Sequence, residues 1–534
     1  MSRLRSSVVR SLAAAAGLAL AAGCAAPGGD DAASGDENDL TSLTARQRLL
    51  HFEGVVYVEP GTSDDDVLAA TRTQTQTAFG ALLASKVSVR TREVQNVNPS
   101  SFVKRDVLVV DTDAPAGTAP MPMLEVSYAY QDEAIIPVEL ARHSSLSLAL
   151  LAQGPDFAWQ KIVPDCTKND KEARDDAAGG LLWYDFDPTR STCRKAIDRE
   201  QRTIDADTAK LTDKTKMVAK SRATRLFLPT AFKLDRAATA DKATYPEYDK
   251  LFGGGIDPNV LTVALVVGRL SHEHVEAAKD DGYYEWMDTL GVIFAKHPEF
   301  RLTKIEPAET LTSALVAGHE IKDLSFADFV QWTVYDTGYP AGLSAAEKKE
   351  LRSKIANKLD NHWVTFEKKV KLAANDGPPK DFTLRIETLF GADEDPEPHR
   401  HAVKRGDVVV YNGHSYIGYG PLDPDNFTAE SFPSTYQLFF FDSCVSYNYY
   451  EKDFFTLKRG GSKVLDIITN GIEAPEYQSG AMQGQLISRL LDGSMPSYQT
   501  LLLSAAATDS LRVVDGELDN TYQPARVKLR VTPP

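Results

Sequence analysis

The sequence predicts an α/β protein: a C-terminal domain built on a mostly parallel sheet with helices on both faces, preceded by an N-terminal α+β region. Three observations predict it. Residues 261–268 (LTVALVVG) form a continuous apolar run, the pattern of a strand covered on both faces. Later runs share that character: VVVY at 408–411, LFFF at 438–441 and VLDII within 463–470, each short and each followed by glycine or polar residues. Between 46 and 160, by contrast, alternating strand patterns mix with one helix signal.

The chain begins with Arg3, Arg5 and Arg10, then an apolar run over 12–22 that is too short to span a bilayer and ends Ala21-Ala22-Gly23-Cys24. This layout resembles a bacterial lipoprotein signal. The resemblance implies that residues 1–23 are removed, that Cys24 is lipidated, and that the protein is extracytoplasmic and anchored to a membrane, at the outer membrane or cell surface. Plain secretion, with Cys24 a thiol or a disulfide partner, is the alternative. Residues 24–45, rich at first in Ala, Gly, Asp and Ser, read as a flexible tether.

The N-terminal α+β domain is expected over 46–160. Residues 52–58 are a β-rich run. Ser63 and Asp66 resemble a capping box opening a helix that runs to about Lys86, and 107–110 and 123–130 read as strands. No chemistry is visible in this region. Residues 161–255 are charged and poor in apolar side chains. In an oxidising compartment Cys166 and Cys193 pair across a short loop, a constraint worth about 3 kcal/mol. This segment reads as a disulfide-stapled insertion and linker, ending at the Gly253-Gly254-Gly255 turn.

The α/β domain is expected over 256–534, with its core at about 380–500. The run at 261–268, a helix over 283–295 and a strand at 301–305 read as one βαβ unit. Ser344 and Glu347 form a capping box. Leu351, Ile355, Leu359, Trp363, Phe366 and Val370 then recur at spacings of four and three, which predicts one long packing helix. Strands follow at 382–389, 407–412, 437–442 and 463–470.

Composition narrows the function. Acidic residues outnumber basic ones 75 to 59, for a net charge of −16, so nucleic acid is not an expected partner. His272 and His274, and likewise His399 and His401, would share one face of a strand, but no cysteine lies near them and no spacing matches a zinc motif. No metal and no cofactor is expected.

Two strand ends carry the chemistry. One reads Asp407-Val-Val-Val-Tyr-Asn-Gly413-His414 and the other Leu438-Phe-Phe-Phe-Asp-Ser-Cys444. Reactive groups gather at the carboxyl ends of parallel strands, and the interval between these two is long enough for a parallel crossover. A thiol beside an imidazole suits nucleophilic catalysis: the imidazole activates the thiol and later protonates a leaving amine. Backbone N–H groups at the turns would hold the oxyanion.

These residues resemble the caspase-fold cysteine peptidases, and most closely the gingipains. In that family one apolar strand leads to a Gly-His or His-Gly histidine and the next to an acid, a small residue and the catalytic cysteine. The resemblance implies that Cys444 is the nucleophile and His414 the general acid–base, with the backbone N–H groups of Ser415 and Cys444 as oxyanion donors. It also places the strand at 463–470, continuing to Gly471-Ile472-Glu473, beside the specificity pocket. There Glu473, with Glu476, is the candidate for selecting a basic side chain; the other reading is a solvated acidic loop. Ser415 stands where gingipains have glycine. The Gly-, Pro- and Asp-rich link over 415–435 reads as a lid or substrate loop. The implied activity is hydrolysis of peptide bonds in a peptide or protein substrate. Transpeptidation and a non-catalytic surface lipoprotein that binds a protein or glycan stand as alternatives.

Overall fold

The computed structural model describes residues 40–534 except 116, 153–157, 237–241, 272–274, 393–394, 476–477 and 507–509. The signal segment, the tether up to residue 39, Cys24, the His272 and His274 pair and Glu476 lie outside the described residues. The chain divides into two units, residues 46–238 and residues 239–534, the latter joined by the segment ending at Ala45. Among the described residues no helix is long and apolar enough to cross a membrane.

The first unit holds a seven-stranded sheet. Its order is Ser145–Leu151, Phe227–Arg236, Ala45–Val58, Met121–Pro137, Val103–Val110 and Met217–Ala219, with Ser88–Val89 on Met121–Pro137. Ala45–Val58 starts seven residues earlier than the 52–58 run suggests, because buried positions recur from Ala45 onward. The Ser63 Oγ accepts from the Asp66 N–H (3.2 Å), capping Asp64–Gln76. The expected single helix breaks at Thr77, whose Oγ1 donates to the Gln74 carbonyl (2.6 Å) and accepts from the Leu151 N–H (3.0 Å); Ala78–Ala84 follows. Cys166 and Cys193 are disulfide-bonded, with Cα atoms 4.6 Å apart, and are buried with Ile162, Phe186 and Phe227. The stapled segment is not a separate insertion. Phe227–Arg236 lies inside this sheet, between Ser145–Leu151 and Ala45–Val58, so the unit continues through it.

The second unit is built on a ten-stranded mixed sheet in the order Thr41–Ser42, Arg512–Asp515, Leu465–Asn470, Gln437–Asp442, Val408–Asn412, Val260–Gly268, Lys380–Ala392, Trp363–Ala374, Arg301–Glu306, with Leu529–Thr532 on Trp363–Ala374. The five from Leu465–Asn470 to Lys380–Ala392 are parallel. Four of them, all but Lys380–Ala392, are the apolar runs of the sequence, and burial on both faces is the reason. One face presents Val263, Leu265, Val410, Phe440 and Ile468 to a core shared with Trp286, Ile293, Ile355, Leu486 and Leu501, from the helices Asp281–Lys296, Ala345–Leu359, Ser479–Leu491 and Tyr498–Ser504. On the other face Phe439 and Phe441 pack on Phe454 of Lys452–Leu457, with ring centroids 6.0 and 5.0 Å apart.

Two expectations are corrected. The long helix stops at Leu359. Its capping box is present, with the Ser344 Oγ accepting from the Glu347 N–H (3.3 Å), but Trp363, Phe366 and Val370 belong to the strand Trp363–Ala374. Asn361 takes the left-handed conformation (φ 57°), which ends the helix, and the β-rich segment after it pairs with Lys380–Ala392. Second, Arg301–Glu306 is not the neighbour of Val260–Gly268: it pairs antiparallel with Trp363–Ala374, with two strands between.

Helices Asp281–Lys296 and Ser479–Leu491 approach closely because Gly480 and Gly484 share one helix face. A Cβ on Gly480 would lie 2.2 Å from the Glu285 carbonyl oxygen, and one on Gly484 2.7 Å from the Val292 Cβ.

Candidate active site

Three neighbouring parallel strands end at one edge: Val260–Gly268, Val408–Asn412 and Gln437–Asp442. Val267 pairs with Asn412 and Asn412 with Asp442. His414 and Cys444 each follow this pair by two residues, just beyond the ends of adjacent strands. Both are partly exposed.

The histidine turn is held by close approaches. The Tyr411 hydroxyl donates to the His414 carbonyl (2.9 Å), and a Cβ on Gly413 would come 2.4 Å from that hydroxyl oxygen, so a side chain there would displace the Tyr411 ring that holds the turn. The His414 Nε2 lies 3.1 Å from the Leu270 carbonyl oxygen. A carbonyl only accepts, so Nε2 carries the proton, and in the neutral ring Nδ1 is the basic nitrogen. Leu270 follows the end of Val260–Gly268, and its own N–H donates to the Asp280 Oδ1 (2.9 Å). The same oxygen accepts from the Gly282 N–H (2.8 Å) and caps Asp281–Lys296. A buried carboxylate thus holds the loop that orients the imidazole. Leu270 carries no side-chain signature, so sequence reasoning misses it.

Beyond Cys444 the chain turns sharply. Val445 is left-handed (φ 53°), a strained conformation for a β-branched residue, costing roughly 1–3 kcal/mol. Its N–H donates to the Ile472 carbonyl (3.1 Å), and the Ser446 Oγ donates to the Phe441 carbonyl (2.8 Å). A buried π-helical turn, Tyr447–Glu451, leads into Lys452–Leu457. From it the Tyr450 hydroxyl donates to the Ser415 carbonyl (2.8 Å), tying the cysteine's helix to the histidine's turn. Tyr416 and Ile417 are left-handed as well (φ 51° and 55°). Strain therefore flanks both strand ends, as it does at many functional sites.

The link over 415–435 is anchored rather than open. Phe427 and Phe432 are buried and pack on Phe454 at 5.2 and 5.9 Å. It crosses between two parallel strands on an aromatic core, with only short 3₁₀ turns in place of a helix.

A polar layer lies at the strand ends on the helix-covered face. Asp442, 1% exposed, accepts on Oδ1 from the Asn470 Nδ2 and the Arg512 Nη2 (both 2.8 Å), and on Oδ2 from the Gln483 Nε2 (3.0 Å). The Arg512 Nε donates to the Asn470 Oδ1 (2.9 Å) and Nη1 to the Ala505 carbonyl (2.6 Å). Its guanidinium lies 4.8 Å from the Phe440 ring centroid. Glu285, also buried, accepts from the Gly480 N–H; burial pushes its carboxyl up to about 7. Neither Arg512 nor Glu285 stands out in the sequence, because each acts through partners distant along the chain.

The remaining candidates separate. Glu473 is exposed, one residue after the Ile472 whose carbonyl holds Val445. His399 and His401 do not converge, because they lie on a helix, Glu397–Arg405, where a spacing of two turns side chains about 200° apart. His399 is buried against the Tyr411 ring (5.1 Å), and burial lowers its pKa to about 4. His401 stacks on Trp363 (4.4 Å) and lies 3.5 Å from a Glu387 oxygen.

No family model, no curated protein and no solved structure matches this chain.

Proposed function

We propose that this protein is an exported, lipid-anchored cysteine peptidase whose C-terminal unit is a caspase-like domain. The observation that carries the reading is the register pairing of Asn412 with Asp442, which precede His414 and Cys444 by two residues each. Supporting it are a strand order in which the histidine strand lies between the first strand and the cysteine strand, and the Leu270 carbonyl that orients the imidazole.

The chemistry follows. The His414 Nδ1 takes the thiol proton, and the Cys444 thiolate attacks a peptide carbonyl carbon. The Ser415 and Cys444 N–H groups stabilise the oxyanion. The imidazolium then protonates the departing amine, leaving an acyl-enzyme, and His414 next deprotonates a water that hydrolyses the thioester. The cycle needs no cofactor. Cys24 would carry the acyl chains that hold the protein to the membrane, and the substrate is a peptide or protein outside the cytoplasm. Glu473 is the proposed selector of a basic side chain.

The test is incubation of the full chain with a peptide library, with product masses read by mass spectrometry, for the native protein and for Cys444→Ala and His414→Ala. Cleavage that both substitutions abolish is expected. A native chain that cleaves nothing, or a Cys444→Ala chain that cleaves as well as the native one, overturns the reading in favour of a binding protein.

A further inference from the structure

The buried layer beneath the cysteine turn contains a charge pair that the acyl-transfer scheme does not use. Asp442, two residues before Cys444, is buried at the strand end. A carboxylate there, left alone in low dielectric, would repel a thiolate formed nearby. The chain answers it with one cation. Arg512 is 8% exposed, donates to Asp442, Asn470 and Ala505, and comes from a strand seventy residues away in sequence. Register accounts for the meeting: Asn470 pairs with Arg512, and the parallel strand carrying Asp442 lies directly beside Asn470.

We propose that Arg512 is a positioning residue for Cys444: by neutralising Asp442 and locking it to Asn470, it lets the thiolate form at the strand end. The inference rests on the reading of Cys444 as a nucleophile, but its electrical consequence is measurable without any substrate. Other ionisable groups belong to the elements around this strand end: Glu285 of Asp281–Lys296, which feels the Asp442 charge, and, by their place in the chain, His414 after the neighbouring strand, Glu451 of the π-helical turn and Glu473 of the loop after Leu465–Asn470. They are common to every variant below, so differences between variants report the Asp442–Arg512 pair.

The experiment follows iodoacetamide alkylation of Cys444 between pH 5 and 10 in the full chain, with the Cys444 peptide quantified by mass spectrometry. Arg512→Met leaves the carboxylate uncompensated. Its alkylation midpoint is expected to rise by about one pH unit, making the reaction at pH 6 roughly tenfold slower. Asp442→Asn leaves the cation uncompensated, and its midpoint is expected to fall. The double variant returns towards the native midpoint, and Arg512→Lys, which keeps the charge, stays near it. A merely structural role would move both single variants the same way or neither. Either result in folded protein, checked by near-ultraviolet circular dichroism, overturns the proposal. Where Arg512→Met does not fold, the isosteric Asp442→Asn decides alone: a midpoint that stays or rises overturns the proposal. Peptide cleavage is scored separately. Opposite shifts in a chain that cleaves nothing sink the peptidase and keep the pair; cleavage without opposite shifts does the reverse.

Discussion

Asn412 and Asp442 are register partners in adjacent parallel strands, and His414 and Cys444 each follow two residues later. If the imidazole activates the thiol, His414→Ala slows alkylation of Cys444 at pH 6 by roughly tenfold, while the two proteins react alike near pH 10, where a thiol is ionised without help. Equal rates at pH 6 would show that the ring and the sulfur do not communicate.

Asp280 serves two structures at once, capping Asp281–Lys296 and holding the Leu270 N–H. Asp280→Ala is expected to lower stability by about 1 kcal/mol, the usual worth of a helix cap, as read from urea denaturation. It should also slow Cys444 alkylation, because the loop whose carbonyl orients His414 is released. A stability loss with unchanged alkylation would confine Asp280 to capping.

Two glycines of the packed helix pair should respond with opposite signs. A Cβ on Gly480 meets the Glu285 carbonyl oxygen at 2.2 Å, so Gly480→Ala should cost about 1–3 kcal/mol. Gly291, within Asp281–Lys296, has nothing within 4 Å of its Cβ position, so Gly291→Ala should stabilise by up to about 1 kcal/mol. Melting temperatures of the two variants on either side of the native value are the expected result.

Three buried acids of the second unit should each favour mild acid over neutral pH. Asp466 is buried and accepts on Oδ2 from the hydroxyls of Tyr436 and Tyr498 and the Asn520 amide; burial raises it to about 7. Burial likewise raises Asp407 to about 6 and Glu285 to about 7. For an acid raised in the folded state, the stabilising contribution is full below the unfolded pKa near 4. It disappears as pH climbs through the folded value. Asp466 alone accounts for on the order of 2–4 kcal/mol over that window. Thermal melts read the Asp466 share: the melting temperature of Asp466→Asn relative to that of the native chain should be more favourable at pH 8 than at pH 5.5.

The Cys166–Cys193 bridge lies wholly within the first unit. Reduction should destabilise that unit by about 2–4 kcal/mol while leaving the Cys444 alkylation rate unchanged. Calorimetry with and without reductant, beside the alkylation assay, checks both.

How much of this was legible before folding differs from element to element. The four apolar runs that became central strands were plain because a strand covered on both faces needs apolar side chains at every position. The Ser344 cap was plain because its two partners are three residues apart. Trp363, Phe366 and Val370 misled because their strand covers positions on both faces, so its apolar residues keep no strict alternation and chance spacings of three and four look helical; Asn361, turning left-handed, decided the matter.

Composition and local spacing by themselves determined four of the central buried strands, the caps at Ser63 and Ser344, and the pairing of Cys166 with Cys193. Only the tertiary structure decided that His414 and Cys444 sit at adjacent strand ends, that the Leu270 carbonyl faces the imidazole, and that Arg512 answers Asp442. Strands choose neighbours through backbone groups that every residue shares, and a carbonyl or a distant cation leaves no mark in the chain until folding brings it to its partner.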